Sequence, residues 1–196
     1  TTQFQPLDPN THKPFNLEQI LTKKLRWITL GGQYDWTEKR YPDETPPEFP
    51  PDIAQLIHDL FPPTKAEAAI LNFYSPGDTL SLHRDVSEEC EAGLVSISLG
   101  CDGIFLVGLE GPGNGKDTDR TARHLAIRLR SGDAVFMTGP SRFAWHGVPQ
   151  IVAGTCPDYL SDWPLGEEMD DANPIRQWRG WMEGKRINLN VRQMKG

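Results

Sequence analysis

The chain has 196 residues, 37% hydrophobic and 24% charged, with a formal net charge of −7 at pH 7. That length suits one domain with its own core. The acidic balance excludes a protein that coats nucleic acid by bulk electrostatics, and leaves room for a local basic rim around a cleft. The longest apolar run, residues 104–107, is far short of a membrane span, and no signal peptide is visible. Cys90, Cys101 and Cys156 have no Cys-x-x-Cys spacing and read as reduced thiols inside a cell.

Residues 1–14 are polar and read as an arm over the surface. Leu17, Ile20 and Leu21 share one helical face, so the spacing predicts a short helix over 15–21. A strand follows over 25–30, then Gly31, Gly32, Gln33, Tyr34, Asp35 and Trp36, then a Pro-rich stretch that regular structure cannot cross. Ile53, Leu56, Ile57 and Leu60 recur at helical spacing from Pro51 to Leu60. From Ala66 the period becomes two, with strands over 68–74, 79–83, 93–99, 103–109, 125–129 and 134–138. Ser131, Gly132 and Asp133 between the last two predict a hairpin. Residues 110–122 form a Gly-rich, charged insertion. Residues 150–184 are the least regular part, with an acidic run from Glu167 to Asp171. Asn173 there can cap a short helix that turns Ile175, Trp178, Trp181 and Met182 to the body, with Gly184 at its end. The last strand covers 185–194. Many short strands in one modest domain suggest a sandwich, barrel or jelly roll.

Three stretches carry chemistry. Side chains two apart on a strand share a face, so His83 and Asp85 point the same way. An imidazole and a carboxylate make two-thirds of a facial iron site that leaves positions open for a co-substrate and dioxygen. His-x-Asp alone is a frequent chance pattern. His146, before Gly147, stands far enough along the chain to return on a paired strand; read alone, it is a histidine at a turn. His12 in the arm, His58 in a helix and His124 at a strand start are less suited. On the last strand Arg186, Asn188, Asn190 and Arg192 share one face, and Ile187, Leu189 and Val191 the other. Two arginines so placed clamp carboxylates through bidentate forks, although a surface strand shows the same alternation.

Together these stretches resemble the AlkB family of Fe(II)/2-oxoglutarate dioxygenases, most like its eukaryotic homologue-1 branch in a fungal version. The resemblance rests on Asn72, Phe73 and Tyr74; on the run from Pro76 through His83, Arg84 and Asp85; and on residues 95–100. It continues through Ser131, Gly132 and Asp133, Ser141 and Arg142 with His146 and Gly147, and Arg186, Asn188 and Arg192. These occur in family order over about residues 30–194. The resemblance implies a mainly β fold with flanking helices (α+β): one domain over 1–196, a double-stranded β-helix (jelly roll) core from about 66, and an N-terminal extension with a nucleotide-recognition lid before it. It implies that His83, Asp85 and His146 bind iron and are catalytic. Asn72, Tyr74, Arg186, Asn188 and Arg192 would hold 2-oxoglutarate, Arg186 at the distal carboxylate and Arg192 near the end bound to iron. The co-reactants would be Fe(II), 2-oxoglutarate and O2.

The leading expectation is oxidative demethylation of methylated nucleobases in DNA or RNA, releasing formaldehyde, succinate and CO2. Tyr34 and Trp36 would belong to the lid over a flipped base, although aromatic rings also simply cover cores. Ser87 lies where some relatives carry an acidic residue that pairs with cationic bases. A serine cannot supply that charge, so a neutral methylated adenine or cytosine is expected. The alternatives are a dioxygenase acting on protein (histone-like) substrates, which the acidic balance suits, and a jelly-roll binding module without catalysis. Local basic features for nucleic acid are Lys23, Lys24 and Arg26, and the group Arg120, Arg123, Arg128 and Arg130; their bland reading is a solvated charged face. A monomer, unattached to a membrane, in the nucleus, cytoplasm or mitochondrion is expected.

Overall fold

The structure is a computed structural model, and it describes residues 3–35, 37–38, 40–42, 45–86, 90–109, 123–163 and 174–194. Trp36, Ser87, Arg120, Asn173, the 110–122 insertion and the acidic run lie outside the described residues. In chain order, β1 (Gln3–Phe4) and β2 (Phe15–Asn16) form a small ladder, and α1 (Leu17–Gln19) follows. Next come β3 (Trp27–Gly31), α2 (Pro51–Leu60), β4 (Ala68–Tyr74), β5 (Leu80–His83), β6 (Leu94–Gly100) and β7 (Gly103–Leu109). The chain ends with β8 (Arg123–Leu129), β9 (Ala134–Met137), β10 (Trp145–Ile151), α3 (Asp158–Ser161) and β11 (Arg186–Arg192). Among the described residues, no helix is long and apolar enough to cross a membrane.

Two antiparallel sheets build the body. One has the order β3-β4-β11-β6-β9 and the other β5-β10-β7-β8. They pack face to face over Tyr74, Leu94 and Met137 from the first, and Phe105, Leu129, Val148 and Ile151 from the second. The outer face of the five-stranded sheet has its own core, where Ile57 and Ile53 of α2 meet Ala69, Val95, Leu189 and Val191. The alternation of β11 has its reason here. Its apolar residues lie under α2 and its polar residues point between the sheets, so the strand is buried on both faces. This is the sandwich architecture of a jelly roll.

Three sequence expectations need correction. The predicted hairpin around Ser131–Asp133 is a crossover: β8 pairs with β7, and β9 pairs with β6 in the other sheet. The turn bonds across to β6, with Gly132 N donating to Ser98 O at 2.7 Å and Ser98 N to Asp133 O at 2.9 Å. Gly132 has φ +90°, a conformation that favours glycine. Alternation is a local signal, and it cannot tell a strand that turns back from one that changes sheet. The helix expected over 15–21 begins as β2 and becomes one α turn. Asn16 caps that turn through its reciprocal bonds with Gln19, and a π-helical turn then covers Ile20–Lys24. Leu25 N closes this turn on Ile20 O at 2.7 Å. The segment before β11 is a pair of 3-10 turns, Pro174–Trp178 and Met182–Gly184, and Met182 is buried as expected.

Ile57 is fully buried between α2 and the sheet. Ile57→Ala should lower stability by about 2–5 kcal/mol, read as a drop in the urea midpoint. An unchanged midpoint would mean that α2 does not brace the sheet.

Candidate metal centre and anion cavity

His83 ends β5 and His146 lies near the start of β10. The two strands pair so that these histidines face each other across the ladder. Their ring centroids are 4.4 Å apart. Gly147 lets the strands close: a Cβ there would stand 2.8 Å from Leu80 O. Asp85 departs from the simple strand picture, because β5 stops at His83 and Asp85 sits in the loop beyond. It still reaches the same point, with Oδ1 3.5 Å from His83 Nε2. Ligand atoms of His83, Asp85 and His146 lie within 4.8 Å of one another. Two imidazoles and one carboxylate so grouped fit a divalent first-row metal.

The surroundings set each ligand in its donor state. His83 Nδ1 lies 2.9 Å from Ser81 O, and His146 Nδ1 lies 3.0 Å from Ala144 O. A carbonyl only accepts, so both Nδ1 atoms carry a proton and Nε2 is the atom each ring turns to the cluster, that of His83 lying against Asp85 Oδ1. Burial lowers the pKa of His146 and keeps it neutral. The Asp85 hydrogen bond raises that of His83. Burial alone would push the Asp85 carboxyl upward. The His83 hydrogen bond and the positive charge of Arg192 outweigh it and hold the carboxyl well below the usual carboxylate range. Arg192 Nη2 meets Asp85 Oδ2 at 3.3 Å. One carboxylate oxygen is thereby taken and Oδ1 is left for a metal.

A cavity of about 480 Å³ joins this cluster to the polar face of β11. Asn72, Tyr34, Arg186, Asn188, Asn190 and Arg192 line it beside His83, Asp85 and His146. Arg186 is 1% exposed, and its Nε and Nη1 have no hydrogen-bond partner among the described residues. The nearby buried acid, Asp102, is engaged by Arg128 Nε at 2.8 Å. Tyr74 is paired with Arg186 across β4 and β11. Its hydroxyl is buried without a partner among the described residues, and burial pushes its pKa up to about 12, so it stays a donor. A buried guanidinium and a buried phenol with unmet donors form a socket for an anion. Gly103 makes the space, since a Cβ there would stand 2.7 Å from Arg186 Nε. Asn188 is fixed by its own bonds, with Nδ2 donating to Ser96 Oγ at 2.8 Å and to Ile97 O at 3.2 Å. Tyr34 packs edge-on against Tyr41, with centroids 5.3 Å apart.

Sequence reasoning missed a further element. Arg142, 2% exposed, donates from Nη1 to Asp85 O at 3.0 Å and from Nε to Ala92 O at 2.8 Å. In return, Arg84 Nε donates to Phe143 O at 2.8 Å. The two arginines clasp the segment bearing His83 and Asp85 to the segment leading into His146. Arg142 belonged to a motif in the sequence, but nothing local shows that its partners are backbone carbonyls far along the chain.

Comparison with known proteins agrees with this chemistry. Residues 1–192 match the family model described as "2OG-Fe(II) oxygenase superfamily". The chain is 54% identical to the "N6-methyladenosine RNA demethylase ALKBH" of Cryphonectria parasitica, over 99% of this chain and 86% of that protein. It is 44% identical to the "tRNA demethylase abh1" of Schizosaccharomyces pombe, over 93% of this chain and 57% of that one. It is 35% identical to the "DNA N(6)-methyladenine demethylase ALKBH1A" of Arabidopsis thaliana, over 89% and 50%. The chain thus spans about half the length of several relatives. The solved structure of OsALKBH1 superposes with a TM-score of 0.63 at 26% identity, covering 85% of this chain and 77% of that one.

Loosening the clasp should loosen the metal. Arg142→Lys keeps the charge but not both bonds, and should weaken Co(II) or Mn(II) binding by about 10–100-fold in a titration of folded protein. Unchanged affinity would reduce the clasp to ordinary loop packing.

Proposed function

We propose an oxidative demethylase of methylated adenine in RNA, because the chain belongs to the 2OG-Fe(II) oxygenase superfamily and, within it, to the ALKBH1-like branch of the AlkB family. Its co-reactants are Fe(II), 2-oxoglutarate and O2. When bound, they supply oxidation of a methyl C–H bond; the hydroxymethyl group left on nitrogen departs as formaldehyde, with succinate and CO2 as the other products. The observation that carries the reading is the cavity that holds both the His83–Asp85–His146 cluster and the unmet guanidinium of Arg186.

The roles of individual residues follow from chemistry. His83, Asp85 and His146 would hold the metal, with Arg192 engaging Asp85 Oδ2. Arg186 and Tyr74 would take the distal carboxylate of 2-oxoglutarate, whose charge would satisfy donors that are otherwise costly to bury. Asn72 and Asn188 flank the co-substrate. Tyr34 stands at the cavity as a ring for the substrate base, and Trp36 and Ser87 remain part of the same proposed substrate side. A serine there suits a neutral base such as N6-methyladenine, and two fungal relatives are named N6-methyladenosine RNA demethylases. We further propose that the enzyme acts as a monomer within the cell. It would be a single domain, with the part before about residue 65 supplying the lid.

His83→Ala or Asp85→Ala should abolish 2-oxoglutarate turnover while leaving a folded protein; full turnover in both would refute the metal assignment. Arg186→Ala should weaken 2-oxoglutarate binding by about 2–5 kcal/mol, the cost of leaving a buried charge partner unmet; unchanged affinity would refute the clamp. Mass spectrometry of methylated RNA, DNA and peptides after incubation with Fe(II), ascorbate and 2-oxoglutarate tests the substrate. Loss of 14 mass units per methyl group, as the general signature of demethylation, is expected first from N6-methyladenosine oligonucleotides (~14 Da by the chemistry of removing CH2 overall). Turnover of peptides alone would replace this reading with a protein-modifying one. Tyr34→Ala should raise KM for the oligonucleotide, with uncoupled 2-oxoglutarate decay intact.

A further inference from the structure

A second cleft, of about 260 Å³, lies apart from the metal cavity. Lys23, Arg26, Phe73, Ser75, Asp78 and Lys185 line it. Strand alternation separates the two sites: Asn72 and Tyr74 of β4 turn inward, and Phe73 between them turns to the outer face. Three cations meet one carboxylate here. Asp78 Oδ2 is taken by Arg26 Nη1 at 2.6 Å and by the Ser75 backbone N–H at 2.7 Å. Lys185 has no carboxylate contact among the described residues. Its Nζ donates to Ser75 Oγ at 2.7 Å and lies 5.6 Å from the Trp181 ring centroid. Burial lowers its pKa, and the nearby Asp78 charge offsets this only in part. Lys23 is exposed beside it.

Aromatic rings continue from the cleft. Trp181 is anchored by Nε1 donating to Leu21 O at 3.0 Å. It stands between Phe73, at 6.3 Å, and Trp163, at 6.5 Å between centroids. Trp163 is 50% exposed. Its neighbour Asp162 has Arg179 at 4.0 Å. An ordinary solvated face scatters its cations. These converge on one concavity, on a chain whose overall charge is −7, and they border rings whose outermost member faces solvent. Cations beside an aromatic ring open to solvent are the chemistry of single-stranded nucleic-acid binding, phosphates on the charges and a base on the ring.

We propose that this cleft holds a single-stranded flank of the nucleic-acid substrate, with Lys23, Arg26 and Lys185 on its phosphates and Trp163 under a base. The proposal rests on the nucleic-acid reading above and adds a contact outside the metal cavity. It explains how an acidic protein keeps hold of a polyanion: binding is local, and bulk charge is not needed.

The test compares the parent holoenzyme with Lys23→Gln/Lys185→Met, which keeps the apolar stem against Trp181, and with Trp163→Ala. The probes are a fluorescent single-stranded RNA of about 15 nucleotides, long enough to reach a second site, and a trinucleotide bearing N6-methyladenosine. The double variant should weaken RNA binding by about tenfold or more and lower the slope of log affinity against log salt by about 1–1.5, as two lost single-strand phosphate contacts require. Trp163→Ala should weaken binding without changing that slope. Both variants should process the trinucleotide as the parent does and melt at its temperature. Unchanged RNA affinity and slope in both variants, with the parent still demethylating RNA, would overturn the cleft alone. Equal losses on trinucleotide and long RNA would place the damage in the metal cavity and overturn it too. A change of slope with Trp163→Ala silent would leave an anion patch without a strand. A parent that turns over only peptides would overturn both this proposal and the function it rests on.

Discussion

The pairing of β5 against β10 is the constraint on which the site depends. It places His83 directly opposite His146 and so turns two distant residues into neighbours at 4.4 Å. Opposite positions in an antiparallel pair have a fixed spacing and a shared face. A slip by one residue would send one imidazole to the outer face and leave the other alone between the sheets. The pairing is irregular between His146 and Val148. Gly147 sits in that interval and permits an approach that a Cβ would block. The Arg84 and Arg142 bonds then tie down the loop after β5, where Asp85 has no ladder to hold it. Asp85 is therefore placed by side chain–carbonyl bonds, and His83 and His146 by register.

The second constraint is charge held between the sheets. Arg186 and Arg192 are both under one-tenth exposed, on a strand in the middle of a sheet. Burying a guanidinium costs several kcal/mol unless it is paired and hydrogen-bonded. Arg192 meets this condition through Asp85, and Arg186 does not among the described protein atoms at its Nε and Nη1. Two hydrophobic layers, one under α2 and one between the sheets, offset such a cost, and β11 is fixed by full ladders on both sides. A rigid socket with unmet donors is preorganised, so an arriving dicarboxylate does not have to organise it.

Much of this was legible in the sequence, for a physical reason in each case. The bounds of α2 follow from Pro51 at its start and a four-residue apolar stripe, and the structure has them as read. The strands β4 and β7 and the alternation of β11 follow from a period of two. His83, Asp85 and His146 were recognisable as ligand types, and the structure brings them together. What was not legible is what depends on partners. The sheet change after β8 leaves its mark only in the bonds from the turn to Ser98. The π turn at Ile20–Lys24 differs from an α turn by one hydrogen-bond step, which residue type does not encode. The clasp of Arg142 and the socket around Arg186 are statements about which atoms lack or find partners, and a linear reading has no access to them.

The strand β4 shows how one period of two can serve two chemistries. Asn72 and Tyr74 both face between the sheets, Asn72 lining the metal cavity and Tyr74 opposite Arg186, and Phe73 between them belongs to the cleft on the outer face. The same holds at the start of β11, where Lys185 faces the outer cleft and the adjacent Arg186 points between the sheets. Two cations next to each other in sequence thus serve opposite sides of one sheet. Arg186 is buried, and the cavity it lines can discriminate by shape and charge. Lys185 is half-buried beside a ring and faces a more open cleft, where binding depends on salt. A polymer wrapped past the sheet edge can reach both sides, whereas a small molecule can occupy only one.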